Sequence, residues 1–243
     1  MAIISLHQWL VKQLKNPTMT LNHIENRSLR DRVLDALREA IITGEFKPGQ
    51  QLIETDLANS LGVSRAPLRE ALQILSTEGL AETVPYHGTT VRRLSKADIE
   101  ELYSLRSVLE TFAIRRIIDQ RNPEHVVRLR KCFEAMLVAA EANDLKQVNQ
   151  IDREFHDTLI ELSGHSLLLT SWNVVSMRVR QVMALLNRRN SNLKKIAYNH
   201  VPIIDAIEAG EINKAVELME AHVAASGELI AEGWHDDGGG ADI

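Results

Sequence analysis

Apolar residues recur at helical spacing from Leu29 onward. Leu29, Val33, Leu37, Ala40 and Ile41 share one face, Arg30, Asp31, Arg38 and Glu39 lie on others, and Gly44 follows as a stop. After the turn Phe46-Lys47-Pro48-Gly49, a short second helix is predicted over Glu54–Leu61, with Leu57, Ala58 and Leu61 inward and the acids Glu54 and Asp56 near its positive end. Leu61-Gly62-Val63-Ser64 reads as a tight turn in which Gly62 takes the left-handed backbone and Ser64 caps the next helix. That third helix is predicted over Arg65–Glu78, with Pro67 in its first turn, Leu68, Ala71, Leu72 and Leu75 on its buried side, and Gly79 after it. Two short β-like runs, Ala81–Val84 and Thr89–Arg92, are joined by Pro85-Tyr86-His87-Gly88 and form a wing. Residues 26–94 are therefore expected to fold as a winged helix-turn-helix. Residues 1–25 form an extension in which Leu6, Trp9, Leu10 and Leu14 could line one side of a short helix.

A second domain over residues 95–233 reads as six helices. Ser95-Lys96-Ala97-Asp98 resembles a capping box, and Ile99, Leu102, Leu105, Leu109, Phe112 and Ala113 carry the first stripe to about Ile118. Further helices are expected over 123–142, 145–162 and 166–189, then one ending at Gly210, and a last over 212–232. The tail 234–243, with three consecutive glycines, is expected to be disordered. The fold class is mainly α: three helices and a small β wing, followed by an all-α six-helix effector bundle.

Composition agrees with this division. A chain of 243 residues has room for a module of roughly 70 residues and a second domain of about 140. Only 4% of residues are aromatic, and the wealth of Leu, Ala, Ile and Glu favours helix. No run approaches the roughly 18 to 20 apolar residues of a membrane span, and Met1–Leu14 has neither a basic start nor a small-residue cleavage site, so a cytoplasmic protein without a membrane partner is expected. A single cysteine, Cys132, closes no internal disulfide and builds no Cys-rich zinc site. The formal charge of -5 does not advertise nucleic acid, but it is unevenly spread: residues 22–96 hold ten basic and ten acidic side chains, residues 97–243 sixteen and twenty-three. DNA affinity therefore depends on where the N-terminal arginines point. Arg65 and Arg69 lie one turn apart at the start of the third helix, within joint reach of guanine edges or phosphates.

In the second domain, Asp152 and His156 are four residues apart and project from one helix face, a spacing that suits two ligands of one metal. His200 precedes Ile203, Ile204 and Ile207, and His222 follows Leu218 and Met219, so both face the bundle interior. Each histidine taken alone also reads as a satisfied core residue.

The segments Glu54-Thr55-Asp56-Leu57-Ala58, Leu61-Gly62-Val63-Ser64-Arg65-Ala66-Pro67-Leu68-Arg69-Glu70-Ala71-Leu72 and Glu78-Gly79-Leu80 resemble the signature of the GntR family of bacterial regulators. The resemblance implies that Ser64, Arg65, Pro67 and Arg69 touch DNA from the recognition helix, and that His87 and Gly88 enter the minor groove from the wing. Thr55 departs from members that carry arginine there, which implies a weaker contact or none. Asp152-Arg153-Glu154-Phe155-His156, His200 followed by Ala206-Ile207-Glu208-Ala209-Gly210, and Met219-Glu220-Ala221-His222 resemble the FCD branch, and the six helices its VanR-like subgroup. This likeness implies that Asp152, His156, His200 and His222 hold a divalent metal, zinc foremost, with a carboxylic-acid effector bound at or beside it. Arg106 resembles a recurrent FCD arginine and either pairs the effector carboxylate or bridges to Glu110. Arg178 and Arg180 on the fourth helix are lesser candidates for the same role, since an exposed charged face also explains them. Two departures bear on the site: His165 stands where the family more often has Asn, and Pro202 follows close behind His200.

These readings describe a homodimeric regulator, a repressor, that reads a pseudo-palindromic double-stranded operator under the control of a small acid. A second reading keeps the DNA head and gives the C-terminal domain only dimerisation or metal-independent sensing. An enzyme built on the same ligands is not expected, because the chain has no nucleophile motif, glycine-rich phosphate loop or HExxH pattern.

Overall fold

The computed structural model describes residues 28–84, 88–186 and 192–232. The expected extension 1–25, the wing residue His87 and the tail 234–243 lie outside the described residues.

Helix α1 spans Leu29–Ile42, with the Ser28 hydroxyl accepting the Asp31 N–H at 3.1 Å. Helix α2, Glu54–Leu61, ends on Gly62 at φ 63, and Val63 N–H closes the turn onto Ala58 O at 3.0 Å. Helix α3 covers Arg65–Thr77, one residue shorter than expected, because Glu78 serves as its C-cap. Ser64 sits at the N-cap position with extended backbone, but its side chain makes no capping hydrogen bond, contrary to the expected role. Strands β1 (Ala81–Val84) and β2 (Gly88–Val91) pair antiparallel from Ala81↔Val91 to Val84↔Gly88. Leu37, Leu68, Ala71, Leu75, Leu80 and Val91 close one core under these elements. The Arg38 guanidinium forks onto Glu78, Nη2 to Oε1 at 2.7 Å and Nε to Oε2 at 3.1 Å, and ties α1 to the end of α3.

Helix α4, Lys96–Gln120, starts with a complete Ser95/Asp98 capping box, and Arg92 from the end of the wing donates to Asp98 Oδ1 at 2.6 Å. The rest of the domain consists of α5 (Pro123–Glu141), α6 (Leu145–Leu162), α7 (Ser166–Leu186), α8 (Leu193–Tyr198), α9 (Val201–Glu208) and α10 (Ile212–Glu232). One expected helix is thus two, α8 and α9, and the described residues of this domain form seven helices in place of six. Pro202 has no N–H to offer the Tyr198 carbonyl one turn back, so the hydrogen-bond ladder breaks and His200 becomes the N-cap residue of α9. Helix α10 packs along α4, α5 packs along α6, and Phe155, Met136, Leu159, Ile160 and Ile203 fill the centre.

The two domains meet at α7. Arg178 Nε donates to Glu78 O at 3.3 Å, and a Cβ on Gly79, whose φ is 72, would lie 1.9 Å from Arg178 Nη2. Glycine is therefore needed twice at this turn, for its backbone and for the guanidinium laid across it. Gly79→Ala is expected to cost about 1–2 kcal/mol through the left-handed backbone alone, and to dislodge Arg178 as well. In a double-mutant cycle with Arg178→Ala, read by urea unfolding, the two losses should be less than additive; additive losses would contradict the contact.

Candidate metal centre and nucleic-acid interface

Four side chains from three parts of the helical domain converge. Helix α6 presents Asp152 and His156 one turn apart, the α8–α9 break presents His200, and α10 presents His222. Ring centroids lie 5.3 Å apart for His156 and His222, 4.7 Å for His200 and His222, and 5.6 Å for His156 and His200. One nitrogen from each imidazole lies within 4.8 Å of the others, and Asp152 Oδ1 is 3.3 Å from His200 Nε2. The break at Pro202 is what turns His200 inward as an N-cap residue while Ile203 and Ile204 stay buried behind it.

The hydrogen bonds assign which nitrogen faces the centre. His156 Nδ1 donates to Glu110 Oε2 at 2.5 Å, and His200 Nδ1 donates to Ile196 O at 3.0 Å. With those protons on Nδ1, each Nε2 carries a lone pair, and both Nε2 atoms are buried without a hydrogen-bond partner. Burial, with His200 and His156 adding to it, pushes His222 down to about 3, so that imidazole is neutral at ordinary pH. Burial would raise Asp152, but the close approach of His200, Nε2 to Oδ1 at 3.3 Å, and the other two imidazoles outweigh it and hold the carboxyl below its ordinary range. Three imidazoles and one carboxylate, two of the imidazoles with buried Nε2 atoms lacking a hydrogen-bond partner, fit a divalent ion of zinc's character and leave coordination positions for a further oxygen ligand.

Behind His156 lies a charged relay. Glu110 has 0% exposure and accepts from Arg106 Nε at 2.5 Å as well as from His156. Its burial favours the neutral acid, yet Arg106 and His156 prevail and bring it down to about 2. The same pairing raises Arg106, which remains charged while buried and lies over the Tyr103 ring. Of the two alternatives for Arg106, the bridge to Glu110 is present, and the guanidinium also lines a narrow cleft beside the imidazole cluster. Asp152, His156, Arg153, Trp172 and Arg180 face the same cleft. Arg178 and Arg180 do not form an exposed face, since both are half-buried, one against the Gly79 turn and the other in the cavity wall. His165 accepts the Leu168 N–H at Nδ1, 3.1 Å, and sets its ring edge against Phe112, so it caps α7 as an asparagine would and stays off the cavity.

In the N-terminal domain, Ser64, Arg65 and Arg69 are exposed and Pro67 half-buried at the leading end of α3. Arg69 Nε holds Glu54 Oε2 at 2.7 Å, whereas Arg65 has no ion-pair partner among the described residues. The free Ser64 hydroxyl stands beside them, and Gly88 opens β2 exposed, with φ 86. No helix among the described residues is long and apolar enough to cross a membrane.

Residues 29–91 match the family described as "Bacterial regulatory proteins, gntR family", and residues 101–225 match the "FCD domain". The chain belongs to the GntR family, in its FCD branch. Similar GntR-type proteins include the "Probable D-xylose utilization operon transcriptional repressor" of Paenarthrobacter nicotinovorans, 31% identical over 85% of this chain and 90% of the relative. The gluconate operon transcriptional repressor of Bacillus licheniformis is 32% identical over 82% of this chain and 83% of its own. The fold resembles that of McbR/YncC from E. coli, with a TM-score of 0.72 at 23% identity, covering 85% of this chain and 99% of that one. This GntR protein is a DNA-binding regulator of transcription, and its relatives are regulators rather than enzymes.

Sequence reasoning singled out the four side chains that converge but missed the second bond of Glu110 and the cavity-facing Arg153 and Trp172. No spacing signals the first, because its partners lie 46 residues apart. Glu110→Gln is expected to lower metal affinity about 10–100-fold by loosening His156, as measured by competition with a chromophoric chelator. Unchanged affinity would show that the hydrogen bond does not orient the ring for a metal.

Proposed function

We propose that this GntR regulator is a homodimeric repressor whose hold on a pseudo-palindromic operator is controlled by a carboxylic acid bound at a divalent metal, zinc foremost, held by Asp152, His156, His200 and His222. The observation that carries the reading is the pair of buried Nε2 atoms of His156 and His200 without hydrogen-bond partners, set beside His222 and Asp152. A bound ion there supplies a Lewis-acidic centre that a carboxylate oxygen can join. The chain's own residues do the rest. Glu110 and Ile196 O fix the two rings, and Arg106 at the cavity wall offers guanidinium charge toward an acid.

Helix α7 is the route from cavity to DNA head. Val179 and Arg180 line the cavity, and Arg178, the residue before them, holds the turn that ends α3. An acid that moves α7 alters the recognition helix's support, and its leverage equals its preference for one of the two arrangements. The repressor reading draws on the similarity to the xylose and gluconate operon repressors. The homodimer reading draws on an apolar stripe at Leu105, Val108 (63% exposed) and Phe112 on α4, joined through the Phe112–His165 contact to Leu167 (72% exposed) on α7. On the operator, Ser64, Arg65, Pro67 and Arg69 enter the major groove, and His87 and Gly88 the minor groove.

Protein purified without chelator is expected to carry about one metal per chain, and His156→Ala and His222→Ala each to carry far less, by elemental analysis. Normal metal in both variants would falsify the ligand assignment. Arg65→Ala should weaken operator binding about 10–100-fold in a fluorescence-anisotropy titration at fixed salt, the loss of one bidentate base contact. An unaltered affinity would remove Arg65 from the interface.

A further inference from the structure

The recognition helix presents two arginines one turn apart, and their surroundings differ. Arg65 has no ion-pair partner among the described residues, whereas Arg69 Nε donates to Glu54 Oε2 at 2.7 Å. Glu54 is the first residue of α2 and Arg69 lies 15 residues on, so the bond spans the helix-turn-helix. Its geometry is not that of a structural tie. Arg38 grips Glu78 through two nitrogens where both side chains are largely buried. Arg69 commits only Nε, and its side chain is 63% exposed. An exposed pair of this kind adds little to folding, and α2 already rests on α3 through the buried Ala58 and Leu68. What the bond does fix is the direction of the guanidinium. An arginine can meet the O6 and N7 acceptors of guanine with the edge from Nε to Nη2 or with the end formed by Nη1 and Nη2. Glu54 occupies Nε, and Arg69 makes no other hydrogen bond among the described residues, so the end is what it offers.

We propose that Glu54 is a positioning residue for sequence reading: its carboxylate holds Arg69 end-on before DNA arrives, so that Arg69 reads one G·C pair in each half-site. This rests on the placement of Arg69 in the major groove given above. Ordering Arg69 in advance removes part of the entropy cost of the contact and sharpens discrimination at that pair. The same carboxylate, a negative charge set close to the phosphates, weakens attraction to DNA of any sequence. Glu54 therefore trades general affinity for selectivity, and its removal should move the two in opposite directions.

The test uses the full chain and selects binding sites from a randomised duplex library. Anisotropy titrations at one salt concentration then compare the selected duplex, the same duplex with each base pair replaced in turn, and an unrelated duplex. Arg69→Lys, which keeps the charge and loses the fork, identifies the base pair that Arg69 reads. At that pair, Glu54→Ala is expected to cut the wild-type discrimination about three- to tenfold, and Glu54→Gln, which keeps an acceptor for Nε, about twofold. Both variants should bind the unrelated duplex about two- to fivefold more tightly, because both lack the charge. A residue that only supported the fold would lose affinity for every duplex alike. Glu54→Gln also covers the case in which the alanine variant fails to fold. Unchanged discrimination at the Arg69-dependent pair in the variants that fold, a loss at a different pair, or weaker binding of the unrelated duplex would each overturn the proposal. If no base pair responds to Arg69→Lys, the placement of Arg69 in the groove fails and the proposal with it. If one responds to Arg69→Lys alone, only the role of Glu54 fails.

Discussion

A carboxylate shut away from solvent between a guanidinium and an imidazole organises the effector domain. Glu110 has Arg106 on one oxygen and His156 on the other, and each of the three depends on the other two. Without Arg106, a buried carboxylate would protonate and release the imidazole; without Glu110, Arg106 would be left as an unpaired buried charge, a defect of about 3–5 kcal/mol. The pairing fixes the tautomer of His156 and so decides that its free lone pair points toward His200, His222 and Asp152. It also links α4, the first helix of the domain, to α6, which carries two of the four converging side chains.

Helix α7 connects this centre with the DNA head. Its residues face in two directions within one turn: Val179 and Arg180 toward the cavity, Arg178 toward Glu78 and Gly79. Arg38 grips the same Glu78 from α1, so the end of the recognition helix is held from its own domain through a side chain and from the effector domain through a carbonyl. A small displacement of α7 therefore changes one of two supports and leaves the winged helix itself intact.

The DNA head was almost fully legible in the sequence because its signals are local. Gly62 and Gly79 need positive φ, Pro67 marks a first turn, and the Leu68, Ala71, Leu72, Leu75 stripe has an unambiguous period. The same holds for Asp152 and His156, four residues apart on one helix. What the sequence hid depends on distant partners. Glu110 meets His156 across 46 residues, and no period in either helix announces it. Arg178 and Arg180 read as a solvated face because periodicity cannot show that a second domain covers one of them and a cavity the other. Pro202 did signal a disturbance near His200, but that the break would create an N-cap and aim the ring inward emerges only once Ile203 and Ile204 are seen buried. Ser64 was assigned a cap from residue type alone, and the structure leaves its hydroxyl free.

X-ray absorption at the zinc edge of the purified protein tests the central claim most directly. The account predicts multiple-scattering features of three imidazoles, with nitrogen at about 2.0–2.1 Å and oxygen completing the shell. A sulfur shell, or an ion surrounded by oxygen without imidazole scattering, would contradict it and leave the three inward histidines as core residues.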